Sequence, residues 1–341
     1  MYRRHLIAAS GALLAAPRHL AAQGAPRRAT IAMDWALQGV TAPWTMAEDR
    51  GWFREAGAEI AVTRGFGSGD TVVKVASGAV ELGYADVYTL MRFLAQNPAQ
   101  RMVAFFMVHD RSALSLAVMA DSPIRQPADF AGKTLAAPPG DASRSVFPLF
   151  AQKAGFDPGA VRWLDVSADL REAMLLRRQA DGISGHVTTV AMNIRGAGLP
   201  REAVRFFPYS DFGVPLYGHV LFSTTAFAEA NAPVLTACAK GTVRGLRAMI
   251  ADPRAAAEAA KRREPLLDVD IEAERIRIAN DMMFVTPHVR ANGFSAVDMD
   301  RLDSTMKEVG QAFGIANPPP ASQLYTTRYL PPPADLAFAA S

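Results

Sequence analysis

Apolar and polar positions along the chain fall into a repeating pattern. Short apolar runs at 29–33, 60–63, 82–85 and 102–108 read as buried strands. Between them, amphipathic stretches at 45–55, about 70–77 and 87–95 read as helices, the first ended by Gly57. This strand–helix rhythm predicts a mostly parallel sheet. After Pro123 and Pro127 a second series begins, with strands at 134–136, 161–164 and 182–184 and helices at 145–154 and 170–177. Two apolar segments, 114–119 and 215–222, resemble each other and read as the return crossings between an inserted lobe and its parent. The rest is helical, at 233–250, 253–263, 271–284 and 299–313, with Asp252-Pro253 marking a restart. The proline triplets 318–320 and 331–333 separate short surface segments. The expected division is a first lobe of 25–116 plus 222–341 and an inserted second lobe of 117–221.

The start of the chain changes the charge picture. Arg3 and Arg4 precede an apolar run, 6–16, that is too short to span a membrane, and small residues follow around 21–24. A signal peptide over 1–24 is expected, exported by the Sec or twin-arginine route to the periplasm. With it go Arg3, Arg4 and Arg18, so 36 basic residues become 33 against 33 acidic ones and the net charge falls from +3 to 0. The basic balance of the full chain thus owes much to the leader and does not argue for nucleic acid or anionic lipid as a partner; no nucleic acid is expected. The single cysteine, Cys238, has no internal disulfide partner and reads as a small core residue. A chain of this length is expected to form two lobes, and a monomer is the simplest state.

Candidate chemistry gathers where strands end. Asp34 and Trp35 follow the first strand, where open sheets hold ligands, and there an indole can stack on a ring while a carboxylate accepts N–H bonds. Gly67-Ser68-Gly69-Asp70 supplies a permissive turn, a hydroxyl and backbone N–H groups at a helix start, without the ending of a phosphate loop. Asp86 and Tyr88 stand where the third strand turns into a helix. In the second lobe, Gly140, Ser143 and Arg144 mirror the glycine-polar helix start, with Arg144 able to meet a carboxylate, sulfonate or phosphate. His186 follows a second-lobe strand. Tyr217 and His219 lie on the proposed return crossing, and Tyr217 is the preferred contact.

Several chemistries are disfavoured. His109, His186, His219 and His288 show no metal-ligand spacing, and His5 and His19 fall in the expected leader. Gly182-Ile183-Ser184-Gly185-His186 is not a nucleophile elbow. No cofactor is expected.

Met33-Asp34-Trp35, Gly51-Trp52-Phe53, Gly67-Ser68-Gly69-Asp70 and the segment from Val75 to Asp86 together resemble substrate-binding proteins of the NMT1/THI5-like type. Tyr217-Gly218-His219 and Ala251-Asp252-Pro253 fit the same pattern. These proteins are relatives of the sulfonate, taurine and thiamine-pyrimidine binding proteins of bacterial ABC importers. The resemblance implies a periplasmic binding protein type II fold, α/β, with two lobes joined by two crossing strands around a ligand cleft. It implies a small-molecule ligand and an ABC permease in the inner membrane as partner; Trp35, Tyr88 and Tyr217 point to a flat heterocycle such as a thiamine pyrimidine precursor or a flavin-like ring, and Arg144 with the helix starts also allows a sulfonate or carboxylate. In the pyrimidine-binding branch an aromatic after the first strand stacks on the ring, a position matched here by Asp34-Trp35. Pyrimidine synthases of the same fold carry a cysteine-rich, iron-associated motif, so one cysteine points to a binder and not an enzyme. A ligand-sensing module docking to a membrane receptor is the remaining alternative.

Overall fold

Ten strands are found in the structure, a computed structural model that describes residues 27–338. The expected leader lies outside the described residues. Five strands form the first sheet: β1 (Arg27–Ala32), β2 (Ala58–Thr63), β3 (Leu82–Asp86), β4 (Met102–Met107) and, much later in the chain, β10 (His219–Thr224). The second sheet contains β5 (Leu114–Met119), β6 (Thr134–Ala137), β7 (Arg162–Asp165), β8 (Gly182–His186) and β9 (Val204–Pro208).

The two sheets share one plan. Their orders are β2-β1-β3-β10-β4 and β7-β6-β8-β5-β9. In each, the fourth strand runs antiparallel to its neighbours, and in each it is the strand that arrives from the other lobe. The apolar segments read from sequence as crossings are thus sheet members, or overlap them: β5 is one such segment and the other ends inside β10. The chain changes lobes in the stretches just outside them, the irregular 108–113 and 209–218, which opens with the short 3-10 helix Tyr209–Phe212. A fully apolar strand buried on both faces and a buried crossing look alike in sequence.

Most helices fall where the periodicity puts them, with instructive exceptions. The first predicted helix is broken into Ala42–Asp49 and Trp52–Glu55 by Gly51, whose φ of 73° a side chain would resist. The helix Val187–Gly196 and strand β9 have no clear signal. Val187-Thr188-Thr189-Val190 is β-branched and reads against a helix, yet it is buried on the second sheet, where packing overrides propensity.

The C-terminal helices tie the lobes together. Ala232–Ala251, Pro253–Arg263 and Val269–Ala279 pack on the first lobe. Contact between Ala232–Ala251 and Ala42–Asp49 is so close that a Cβ on Gly245 would lie 2.1 Å from the Pro43 carbonyl oxygen. Cys238 sits in this core, its thiol pushed up to about 12 by burial, which leaves it unreactive. Val269–Ala279 also touches the second lobe through Val187–Gly196, and Met299–Ala312 packs against helices of both lobes, Val87–Gln96 and Ala142–Lys153.

Candidate ligand-binding cleft

The carboxyl ends of β1, β3, β6 and β8 face one another across the gap between the sheets. They enclose a cavity of about 40 Å³ lined by residues of both lobes. At its rim the lobes touch directly: the Gly69 amide donates to the Gly140 carbonyl at 3.0 Å. A Cβ on Gly67, whose φ is +131°, would stand 2.8 Å from that carbonyl, so only glycine permits this approach. Further from the cavity, the buried Glu272–Arg275 pair bridges the lobes. Arg275 donates to the Thr188 and Thr189 carbonyls at 3.1 Å each and to Asn193 Oδ1, while Glu272 accepts from the Gly39 amide at 2.6 Å. Gln38 Nε2 donates to Thr189 Oγ1 at 3.3 Å. The lobes therefore stand closed, and a ligand enters only when they part.

A cluster of rings forms the first-lobe side. His219, the first residue of β10, is paired with Asp34 at 2.6 Å between Nε2 and Oδ2. Tyr84 stacks on it, centroids 4.6 Å apart, and donates or accepts at His109 Nε2 over 3.1 Å. His109 and His186 each meet the His219 ring edge-on at 5.0 Å. Met283 joins the lining from Asn280–Phe284, a π-helical turn of the kind frequent at functional sites.

Burial and neighbours set the charge states. Burial opposes charge on His219, but the carboxylates of Asp34 and Asp86 outweigh it and raise its pKa. Burial, reinforced by His219, holds His109 well below the usual imidazole range and brings His186 down to about 3. Burial, with Asp34 nearby, raises the Tyr84 phenol. Of the three rings, His219 is thus the one whose charged form its neighbours favour, while burial disfavours charge on His109 and His186.

The second-lobe side is built on Asp141 and Arg171. Asp141 caps the helix Ala142–Lys153, its Oδ1 accepting from the Arg144 amide at 2.8 Å and from Ser184 Oγ at 2.7 Å. Its Oδ2 faces Arg171 at 3.4 Å, and Arg171 also pairs with Glu172 at 2.6 Å. The Arg171 guanidinium reaches across the gap and lies 4.6 Å from the ring centroid of Trp35. Thr188 Oγ1, also lining the cavity, is buried without a hydrogen-bond partner.

The residues singled out in the sequence separate into three groups. Asp34, Trp35, Ser68 and His186 line the cavity. Gly69 and Gly140 make the contact between lobes. The other six point elsewhere. Asp70 pairs with Lys74 at 2.6 Å. Asp86 spends its Oδ1 on the amides of Tyr88 and Thr89 and on the Thr89 hydroxyl. The Tyr88 hydroxyl meets Thr305 at 2.6 Å, and Tyr217 accepts from the Asp298 amide beneath Arg301, so both tyrosines face the C-terminal helix. The Ser143 carbonyl accepts from Tyr209, its own hydroxyl buried without a partner. Arg144 pairs with Asp165 and lies over Trp163, outside the cavity lining.

Gln38, Tyr84, His109, Asp141, Arg171, Thr188 and Met283 line the cavity without having been singled out, and His219 had been ranked below Tyr217. Some left a signal. Tyr84 lies two residues before Asp86 on one strand face, and His219 pairs in register with Asp86. Arg171 left none, since a lone arginine at a helix start usually faces solvent.

Comparison with known proteins yields a consistent set. The profile described as NMT1/THI5 like matches residues 38–256. A formylaminopyrimidine-binding protein from Halalkalibacterium halodurans is 25% identical over 226 residues, 65% of this chain and 66% of that relative's length. Among solved structures, the alkanesulfonate-binding protein SsuA from Xanthomonas axonopodis pv. citri, bound to MOPS, superimposes with a TM-score of 0.69 at 15% identity, covering 88% of this chain and 98% of that one. The periplasmic nitrate-binding protein NrtA from Synechocystis PCC 6803 gives 0.67 at 11% identity, covering 89% and 87%. These likenesses establish the two-lobed fold.

Proposed function

The chain belongs to the NMT1/THI5-like family, and from that premise we propose that it captures a small, flat, uncharged heterocycle by lobe closure. It acts as the solute-binding component of an ABC importer, working in the periplasm and delivering its ligand to an inner-membrane permease. The ligand is of the aminopyrimidine kind, as the name of the relative that binds formylaminopyrimidine suggests.

One observation carries the choice of ligand: every cation near the cavity already has a carboxylate. Arg171 has Asp141 and Glu172, and His219 has Asp34. A sulfonate or nitrate would have to displace one of these partners, whereas a neutral ring need not. Ring surface is on offer at His186 and at the part of Trp35 that Arg171 does not cover, and Asp34 with Thr188 Oγ1 supplies polar atoms for amino and ring nitrogen groups. An enzymatic role of the pyrimidine-synthase type has less support, because the one cysteine is buried and inert.

Calorimetric titration tests this directly. An N-formyl aminomethylpyrimidine is expected to bind one to one and methanesulfonate not at all. Trp35→Ala is expected to weaken the pyrimidine by about 1–3 kcal/mol, the usual worth of an aromatic platform. Binding of the sulfonate alone, or an unchanged affinity in the variant, would overturn the assignment.

A further inference from the structure

Arg171 is placed in a way that ordinary salt-bridge chemistry does not require. It begins a short helix of the second lobe, its side chain is only 2% exposed, and it crosses the gap to cover a tryptophan of the first lobe. A slot is kept for it. Gly185, on β8, has no side chain, and a Cβ there would stand 2.7 Å from Arg171 Nη1.

We propose that Arg171 is a specificity-determining residue that excludes cationic ligands from the cleft. An aromatic face backed by a buried carboxylate is the usual way for a protein to hold an ammonium or azolium group. Trp35 and Asp141 would form such a site, but the protein's own guanidinium fills it. A cationic ligand would find the Trp35 face covered, the Asp141 charge spent, and a like charge at close range. A neutral ring can use the remaining Trp35 surface without that penalty. The inference rests on reading the cleft as a ring-binding site and adds to it the sign of charge the site refuses.

The test compares two probes that differ in one charge: the N-formyl aminomethylpyrimidine, neutral at pH 7.5, and its deformylated amine, an ammonium ion. In the wild type the amine is expected to bind at least about tenfold more weakly than the formyl compound. In Arg171→Met that gap is expected to close to within about threefold or to invert. Removing a buried cation strands Asp141 and Glu172, so Arg171→Met/Glu172→Gln is measured beside it, with urea unfolding confirming that it folds. A gap of undiminished size in either folded variant overturns the role of Arg171, as does a wild type that binds both probes equally. A wild type that binds neither overturns the underlying reading of the cleft, and this inference with it.

Discussion

Asp86 and His186 occupy matching places in the two lobes. Each ends the third strand in its sheet's order, and each is the N-cap position of the following helix, Val87–Gln96 or Val187–Gly196. Their side chains do opposite things. The Asp86 carboxylate accepts from the amides of Tyr88 and Thr89 and so folds back onto its helix, away from the cavity. His186 makes no cap and its ring turns into the cleft, against His219. Burial acts on both with opposite sign, pushing the Asp86 carboxyl up to about 6 and the His186 imidazole down to about 3. Here the Asp86 acceptor is drawn onto its own helix, while His186, which does not cap, presents its ring to the cavity.

The largest expected effect sharpens the structural half of this comparison. Asp86 is raised from about 3.9 in the unfolded chain to about 6, so the native state holds the extra proton. Its contribution is present below about pH 4 and is lost as pH rises to about 6, a change on the order of 3 kcal/mol. Asp86→Asn keeps a capping side chain but cannot ionise. Urea unfolding across this range is expected to show the wild type losing stability relative to the variant as pH rises. A flat difference between the two would break the account of Asp86.

The next effect concerns the ligand half. In the closed cleft His186 is faced by His219, Asp34 and Arg171 and is held neutral; with the lobes apart, water returns it toward the ordinary value near 6.5. The open form then binds more protons, so closure is fully favoured above about 6.5 and weakens as pH falls toward 3. Between pH 6.5 and 4.5, affinity for the formylated pyrimidine is expected to fall by up to about 50-fold. His186→Gln should flatten that slope whatever it does to affinity at neutral pH. An equally steep slope in the variant would assign the titration to another group.

The same contrast explains how much could be read in the sequence. The strand–helix alternation, the two-lobed α/β fold and the clustering of polar residues at strand ends were legible, because short apolar runs and glycine turns encode them locally. Asp34, Trp35, Ser68 and His186 line the cavity from such positions. Tyr88, Ser143, Arg144 and Tyr217 looked equivalent, but their orientation depends on partners far away in the chain, such as Thr305, Asp165 and Asp298, and Asp86 is taken by the cap of its own helix. Arg171 and Thr188 were illegible for the complementary reason. Their place in the cleft comes from the approach of the two lobes, which no local pattern records.

A cleft that takes a neutral flat ring is best probed by native mass spectrometry of the protein recovered from the periplasm, followed by loading with an equimolar mixture of the formylated pyrimidine and an alkanesulfonate. The account expects a one-to-one complex whose released small molecule is an uncharged heterocycle. A complex that releases the sulfonate, or another anion carried from the cell, would contradict it.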